Sequence, residues 1–146
     1  MKTVGRILAV DWGERRIGLA LSDESQILAQ PLATLTRRAG KRFPMAQLLE
    51  AVKKHNVVSI VVGLPLDESG AEGDAAHAAR ALADDIKGRV GDLEVTMWDE
   101  RMTTARVLAA IREMGGTTRG RKEDVDAMAA ALLLQHYLDA KRGTAL

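Results

Sequence analysis

A chain of 146 residues and 15.8 kDa is one domain's worth of sequence, long enough to bury a core and too short for two full domains. It has no cysteine, which excludes disulfide scaffolds, thiolate zinc sites and cysteine nucleophiles; its four aromatic residues, Trp12, Phe43, Trp98 and Tyr137, are too few to stack many bases. Twenty-one basic residues against twenty acidic ones leave a net charge of +1, which neither demands nor forbids nucleic acid.

Residues 6–12, RILAVDW, predict a strand with a buried middle, ended by Gly13. Residues 16–23, RIGLALSD, predict a second strand joined to the first by a tight turn, so the pair forms an antiparallel hairpin. A third extended stretch lies in 27–36, where Pro31 predicts an edge strand or a bulge. Apolar residues then fall at helical spacing over 43–55. VVSIVVGL, residues 57–64, is nearly all apolar and β-branched, the pattern of a strand buried on both faces in a parallel sheet. Pro65, Gly70 and Gly73 break the following loop. After it come an alanine-rich helix over 74–87, a strand over 93–99 and a helix over 104–114 with Thr103 as its N-cap. Residues 115–122, GGTTRGRK, predict a mobile loop, and 123–139 a last, very apolar helix.

The order β-β-β-α-β-α-β-α-α implies an α/β fold: one five-stranded mixed sheet, its first, fourth and fifth strands parallel, with helices on both faces. The sequence contains no internal repeat, no apolar run of membrane-spanning length and no secretory h-region. The expectation is a single cytoplasmic domain over 1–146 with no membrane partner.

Acidic residues stand where a core pattern would not put them. Asp11 ends a buried strand, Asp99 and Glu100 end the fifth strand, and Asp126 opens the last helix. Ala130, Leu133 and Leu134 lie four, seven and eight residues beyond Asp126, so it belongs to the face packed on the sheet. Carboxylates at the carboxyl ends of parallel strands occupy the edge where open α/β sheets bind ligands. Their mutual repulsion is relieved by a hard divalent ion, Mg2+ or Mn2+. One such ion, or two about 3.5–4 Å apart, suits in-line attack on a phosphodiester.

Each residue also has an ordinary reading. Asp11 suits a turn cap, Asp126 suits a helix N-terminus or a pair with Lys122, and Asp99 and Glu100 suit a loop. Gly13 reads as a hairpin glycine or as a place where backbone approaches phosphate, Gly63 as a strand-ending turn or as part of the same edge, and Thr103 and Thr104 as helix caps or phosphate contacts. Arg16 reads as a phosphate ligand or as the partner of a nearby carboxylate. Two basic segments, Arg37, Arg38, Lys41 and Arg42, then Arg119, Arg121 and Lys122, read as backbone grips or as solvated surface. His55, His77 and His136 have no metal-ligand spacing and read as structural; Met97, Met102, Met114 and Met128 read as core.

Four stretches, VDWGERRIGLALSD (10–23), VVGLPLDESG (61–70), DERMTT (99–104) and KEDVDAMAAALLLQHYLD (122–139), together resemble the YqgF/RuvX family. The resemblance runs over nearly the whole chain, in order. It implies an RNase H-like fold and a metal-dependent nuclease that processes the 5′ end of pre-16S rRNA in ribosome biogenesis. It also implies Asp11, Glu100 and Asp126 as the catalytic and metal-binding set, favouring Glu100 over Asp99, a choice that spacing alone leaves open. Arg16, Gly18 and Ser22 in the first motif, and Arg101 and Thr104 in the third, are singled out too. The alternatives are a Holliday junction resolvase acting on branched DNA, as a homodimer rather than a monomer, and a non-catalytic RNA-binding assembly factor. An ATP-binding phosphotransferase would share the Asp11-Gly13 turn, but such enzymes close a cleft between two copies of this fold, which 146 residues do not supply.

Overall fold

A computed structural model describes residues 5–13, 15–36, 43–67, 69–100 and 122–143. In chain order it contains β1 (Arg6–Asp11), β2 (Arg16–Ser22), β3 (Ala29–Thr36), α1 (Met45–Lys54), β4 (Val57–Leu64), α2 (Asp74–Val90), β5 (Glu94–Asp99) and α3 (Lys122–Arg142). Each strand lies within a residue or two of its expected limits. The last helix runs three residues further than its apolar pattern, because its final turn is polar and exposed. The expected helix over 104–114, its Thr103 cap and the glycine loop up to residue 121 lie outside the described residues.

The sheet order is β3-β2-β1-β4-β5. β1 and β2 pair antiparallel, as do β2 and β3, whereas β4 runs parallel to both β1 and β5. The edge position of β3 follows from Pro31, which offers no N–H to a further strand; the ladder to β2 shifts register beside it, between Leu19 and Ala20. β1 is the central strand, so both its faces are covered and its middle residues, Ile7 to Val10, are apolar regardless of parity.

Parity divides them between two cores. Leu8 and Val10 of β1, Ile17 and Leu19 of β2, and Ile60 and Val62 of β4 pack with Leu48 of α1 and Leu82 and Ile86 of α2. Ile7 and Ala9 of β1, Ala20 of β2 and Val61 of β4 pack with Ala130, Leu134 and Leu138 of α3. A fully buried leucine contributes roughly 1.5–3 kcal/mol, so three to four turns of α3 are held by a few such side chains over a floor of small residues. α1 gives way to β4 through Asn56, whose φ of 53° is left-handed and suits asparagine after a helix end; α2 ends at Gly91, with φ 66°.

One expectation fails. Met128 is 48% exposed rather than part of the core. α3 offers the sheet only one stripe, taken by Ala127, Ala130, Leu133 and Leu134, and position 128 falls outside it. Met97 does pack against the α1/α2 core, while Met102 and Met114 lie outside the described residues. Among the described residues no helix is long and apolar enough to cross a membrane.

Candidate active site

Asp11 is the last residue of β1, and the period of two places it with Ile7 and Ala9 on the face that α3 covers. It pairs across the hairpin with Gly18. Gly18 explains how a helix reaches this spot: a Cβ there would lie 2.0 Å from the carbonyl oxygen of Asp126 and 2.6 Å from its carbonyl carbon. Only a residue without a side chain lets the backbone of α3 sit this close to β2. Asp126 is thereby set down beside Asp11, and it is fully buried.

The third carboxylate arrives from the other side. Val10 pairs in parallel with Val62, so Gly63 is the next residue of β4 alongside Asp11. A Cβ on Gly63 would lie 2.8 Å from Cδ and 3.0 Å from Cγ of Glu100, and 3.0 Å from Cδ2 of Leu133. The Glu100 carboxylate thus rests over Gly63, on the α3 side of the sheet, and Glu100 is buried. Asp99 takes the opposite parity: Val95 and Met97 before it join the α1/α2 core, whereas Trp98 packs toward Ala129 and Leu133 of α3. Parity therefore groups Glu100, not Asp99, with Asp11 and Asp126.

Three buried carboxylates at one strand edge repel one another when ionised, in a medium that screens charge poorly. Part of that charge is answered by Arg16, the first residue of β2. Its Nε donates to Oδ2 of Asp126 at 2.7 Å, and the arginine side chain keeps 23% of its surface exposed. Asp11 has interactions of its own, but its Oδ2 atom is buried and accepts no hydrogen bond among the described residues. Also among the described residues, no three Asp, Glu, His or Cys side chains are drawn into a ready coordination sphere. The donor set nevertheless suits a hard divalent ion: carboxylate oxygens only, with no thiol or imidazole among them.

The loop after β4 stands at the same edge. Oδ1 of Asp67 accepts hydrogen bonds from the Ser69 hydroxyl at 2.6 Å and from the N–H groups of Ser69 and Ala71, both at 2.9 Å. Those donors, the hydroxyl first, hold the Asp67 carboxyl below its usual range. Glu72 binds Arg80 of α2 through both carboxylate oxygens. Two acidic residues of this loop thus shape it.

Ser22 is at the opposite end of the hairpin. Its hydroxyl accepts from the N–H of Ile7 and donates to the carbonyl of Asp23, both at 2.8 Å, so it closes the sheet far from the carboxylates. His136 is structural in the same sense: its Nδ1 accepts from the Trp98 indole N–H at 3.1 Å. Arg37, Arg38, Lys41, Arg42, Arg101, Thr104, Arg119 and Arg121 lie outside the described residues. Lys122 opens the backbone of α3. Sequence reasoning places Gly63 at this edge but misses its steric role beneath Glu100. The available signal was its place beside Asp11 in a parallel pair.

Gly63 supplies a direct test. In Gly63→Ala the new methyl meets the flexible end of Glu100, so the carboxylate shifts while the strand stays. Stability is expected to fall by about 1 kcal/mol, and thermal unfolding measures the effect.

Residues 5–140 match the sequence family described as RuvX, Holliday junction resolvase. The chain belongs to the RuvX family. A relative of this RuvX chain from Koribacter versatilis, named "Putative pre-16S rRNA nuclease", is 42% identical over 137 residues, which span 94% of this chain and 88% of that protein. A protein of the same name from Acetivibrio thermocellus is 37% identical over 136 residues, 93% of this chain and 96% of that one. Among solved structures, the resolvase of Fowlpox virus, in complex with substrate Holliday junction DNA, superposes with a TM-score of 0.53 at 11% identity. The superposition covers 93% of this RuvX chain and 98% of the viral one. That likeness shows the fold, the RNase H-like α/β sheet expected from the sequence.

Proposed function

We propose that this chain is a metal-dependent endonuclease that hydrolyses phosphodiesters of structured nucleic acid, with the 5′ end of pre-16S rRNA as its substrate and a single domain over 1–146 as its working unit. The observation that carries the reading is the grouping of Asp11, Glu100 and Asp126, all buried, on one face of the sheet at the carboxyl ends of β1, β4 and β5. Family membership and relatives named as pre-16S rRNA nucleases support it.

Asp11 and Asp126 would hold one or two Mg2+ or Mn2+ ions, and Glu100 would hold an ion or orient the attacking water. When bound, such an ion supplies charge stabilisation and a more acidic water. The chain's own groups do the rest. The carboxylates fix the reacting centre within a packed strand edge, and Gly18 and Gly63 set their separation. Arg16 and Arg101 steady phosphates. Thr104 offers a hydroxyl to a phosphate oxygen, and the segments at Arg37, Arg38, Lys41 and Arg42 and at Arg119, Arg121 and Lys122 grip the backbone by charge, so binding weakens as salt rises. A cytoplasmic location accords with both substrate readings.

The second reading is a junction resolvase, favoured by the family's description and by the fold shared with the viral resolvase. It would call for a two-fold homodimer, whereas a processing nuclease, which cuts one strand, could act as a monomer. The test incubates purified chain with a precursor rRNA fragment and with a four-way DNA junction, each with Mg2+ or Mn2+. Cleavage of the RNA at a new 5′ end, with the junction untouched, is the expected result. Paired cuts in the junction with intact RNA would replace it with the resolvase. Tight RNA binding with no cleavage under either ion would mark a non-catalytic assembly factor.

A further inference from the structure

We propose that Arg16 is a resident counter-cation of Asp126 that the divalent ion displaces, so that the site exchanges one cation for another as it is loaded. The inference rests on the metal-nuclease reading and goes beyond it by naming the group that competes for the ion's ligand.

Asp126 is fully buried, and an ionised carboxylate in such a place needs a compensating charge. Arg16 supplies such a charge, from its Nε to Oδ2 of Asp126 at 2.7 Å, a charge-assisted hydrogen bond at the short end of its range. The two residues stand 110 apart in sequence, so only the finished fold brings them together. The contact uses Nε alone rather than the two-pronged fork that makes arginine–carboxylate pairs strongest. Arg16 is also the more exposed partner, at 23% against zero, and has solvent into which to withdraw. A carboxylate oxygen held by a guanidinium cannot simultaneously give its full charge to an ion. Arg16 therefore stabilises the metal-free site and opposes loading. Once released, the same guanidinium stands at the strand edge where a substrate phosphate must come, which couples ion entry to phosphate binding.

The experiment titrates Mn2+ into the full chain without nucleic acid and follows free Mn2+ by electron paramagnetic resonance. Arg16→Gln is expected to bind Mn2+ about fivefold more tightly than wild type, the low end of ordinary coupling between linked equilibria. A second readout separates this from a merely structural role. In chelator the Tm of Arg16→Gln is expected to lie below that of wild type, and saturating Mn2+ closes the gap, because the ion replaces the missing cation. Arg16→Lys keeps a positive charge and, should the glutamine variant fail to fold, carries the test; its affinity is expected to fall at or slightly tighter than wild type. Equal or weaker Mn2+ binding in Arg16→Gln, with a Tm gap that Mn2+ leaves unchanged, would overturn the inference and leave the nuclease reading standing. Weaker binding in Arg16→Lys would overturn it likewise. Absence of Mn2+ binding in wild type and both variants would overturn the inference and the nuclease reading together.

Discussion

Asp11→Asn is expected to remove cleavage and to leave the fold as stable as wild type or firmer. The change keeps the shape of the side chain and removes one negative charge from a buried group of three. A ligand oxygen lost from an ion that stabilises developing charge is worth several kcal/mol; about 4 kcal/mol corresponds to about a thousandfold in rate. The stability effect has the opposite sign. Without a metal, Asp11 repels its carboxylate neighbours, so the neutral amide relieves the folded state by about 1 kcal/mol, or about 3 °C in Tm. Trading stability for function is what a site built from like charges entails. Single-turnover cleavage measures the first effect, and thermal unfolding in chelator the second. Wild-type cleavage by Asp11→Asn would remove this residue from the site, and with it the reading of the strand edge.

The sequence was most legible where one period governed several residues. The apolar middle of RILAVD and the tight turn before RIGLALS specified the hairpin, and the nearly all-apolar VVSIVVGL specified a strand covered on both faces. Pro31 marked the edge because its missing N–H has only one tolerable place in a sheet. Asp126 could be turned toward the sheet because the stripe below it, through Ala130 and Leu134, is the only one α3 can bury. Less was legible where the decision was tertiary. The choice between Asp99 and Glu100 depends on which residue leaves β5 on the α3 side, and spacing is silent on that. The Arg16–Asp126 contact joins residues that no local pattern relates. Met128 shows the limit of composition: an apolar residue in an apolar helix is still exposed when its angle is wrong.

Gly18→Ala is expected to be the most damaging added methyl group among the described glycines of the sheet. The position is in a strand interior with ordinary backbone geometry, so the requirement for glycine is steric and comes from the other element. The added carbon would stand 2.0 Å from the Asp126 carbonyl oxygen and 2.6 Å from its carbon. These are backbone atoms of a helix and cannot swing aside. α3 must therefore lift from β2, and the fully buried contacts of Ala130, Leu134 and Leu138 lift with it. Overpacking of this kind costs about 3 kcal/mol, the upper end of its usual range, which lowers Tm by on the order of 10 °C for a domain this size. Cleavage should fall further than stability alone explains, because the same displacement carries Asp126 away from Asp11. Gly88 provides the contrast within one molecule. It lies in α2 with nothing within 4 Å of where its Cβ would be, so Gly88→Ala is expected to stabilise the chain by roughly 0.5–1 kcal/mol. Thermal unfolding of the two variants side by side decides the matter. Equal and small shifts would mean that α3 does not rest on Gly18, and the two aspartates would lose the contact that places them together.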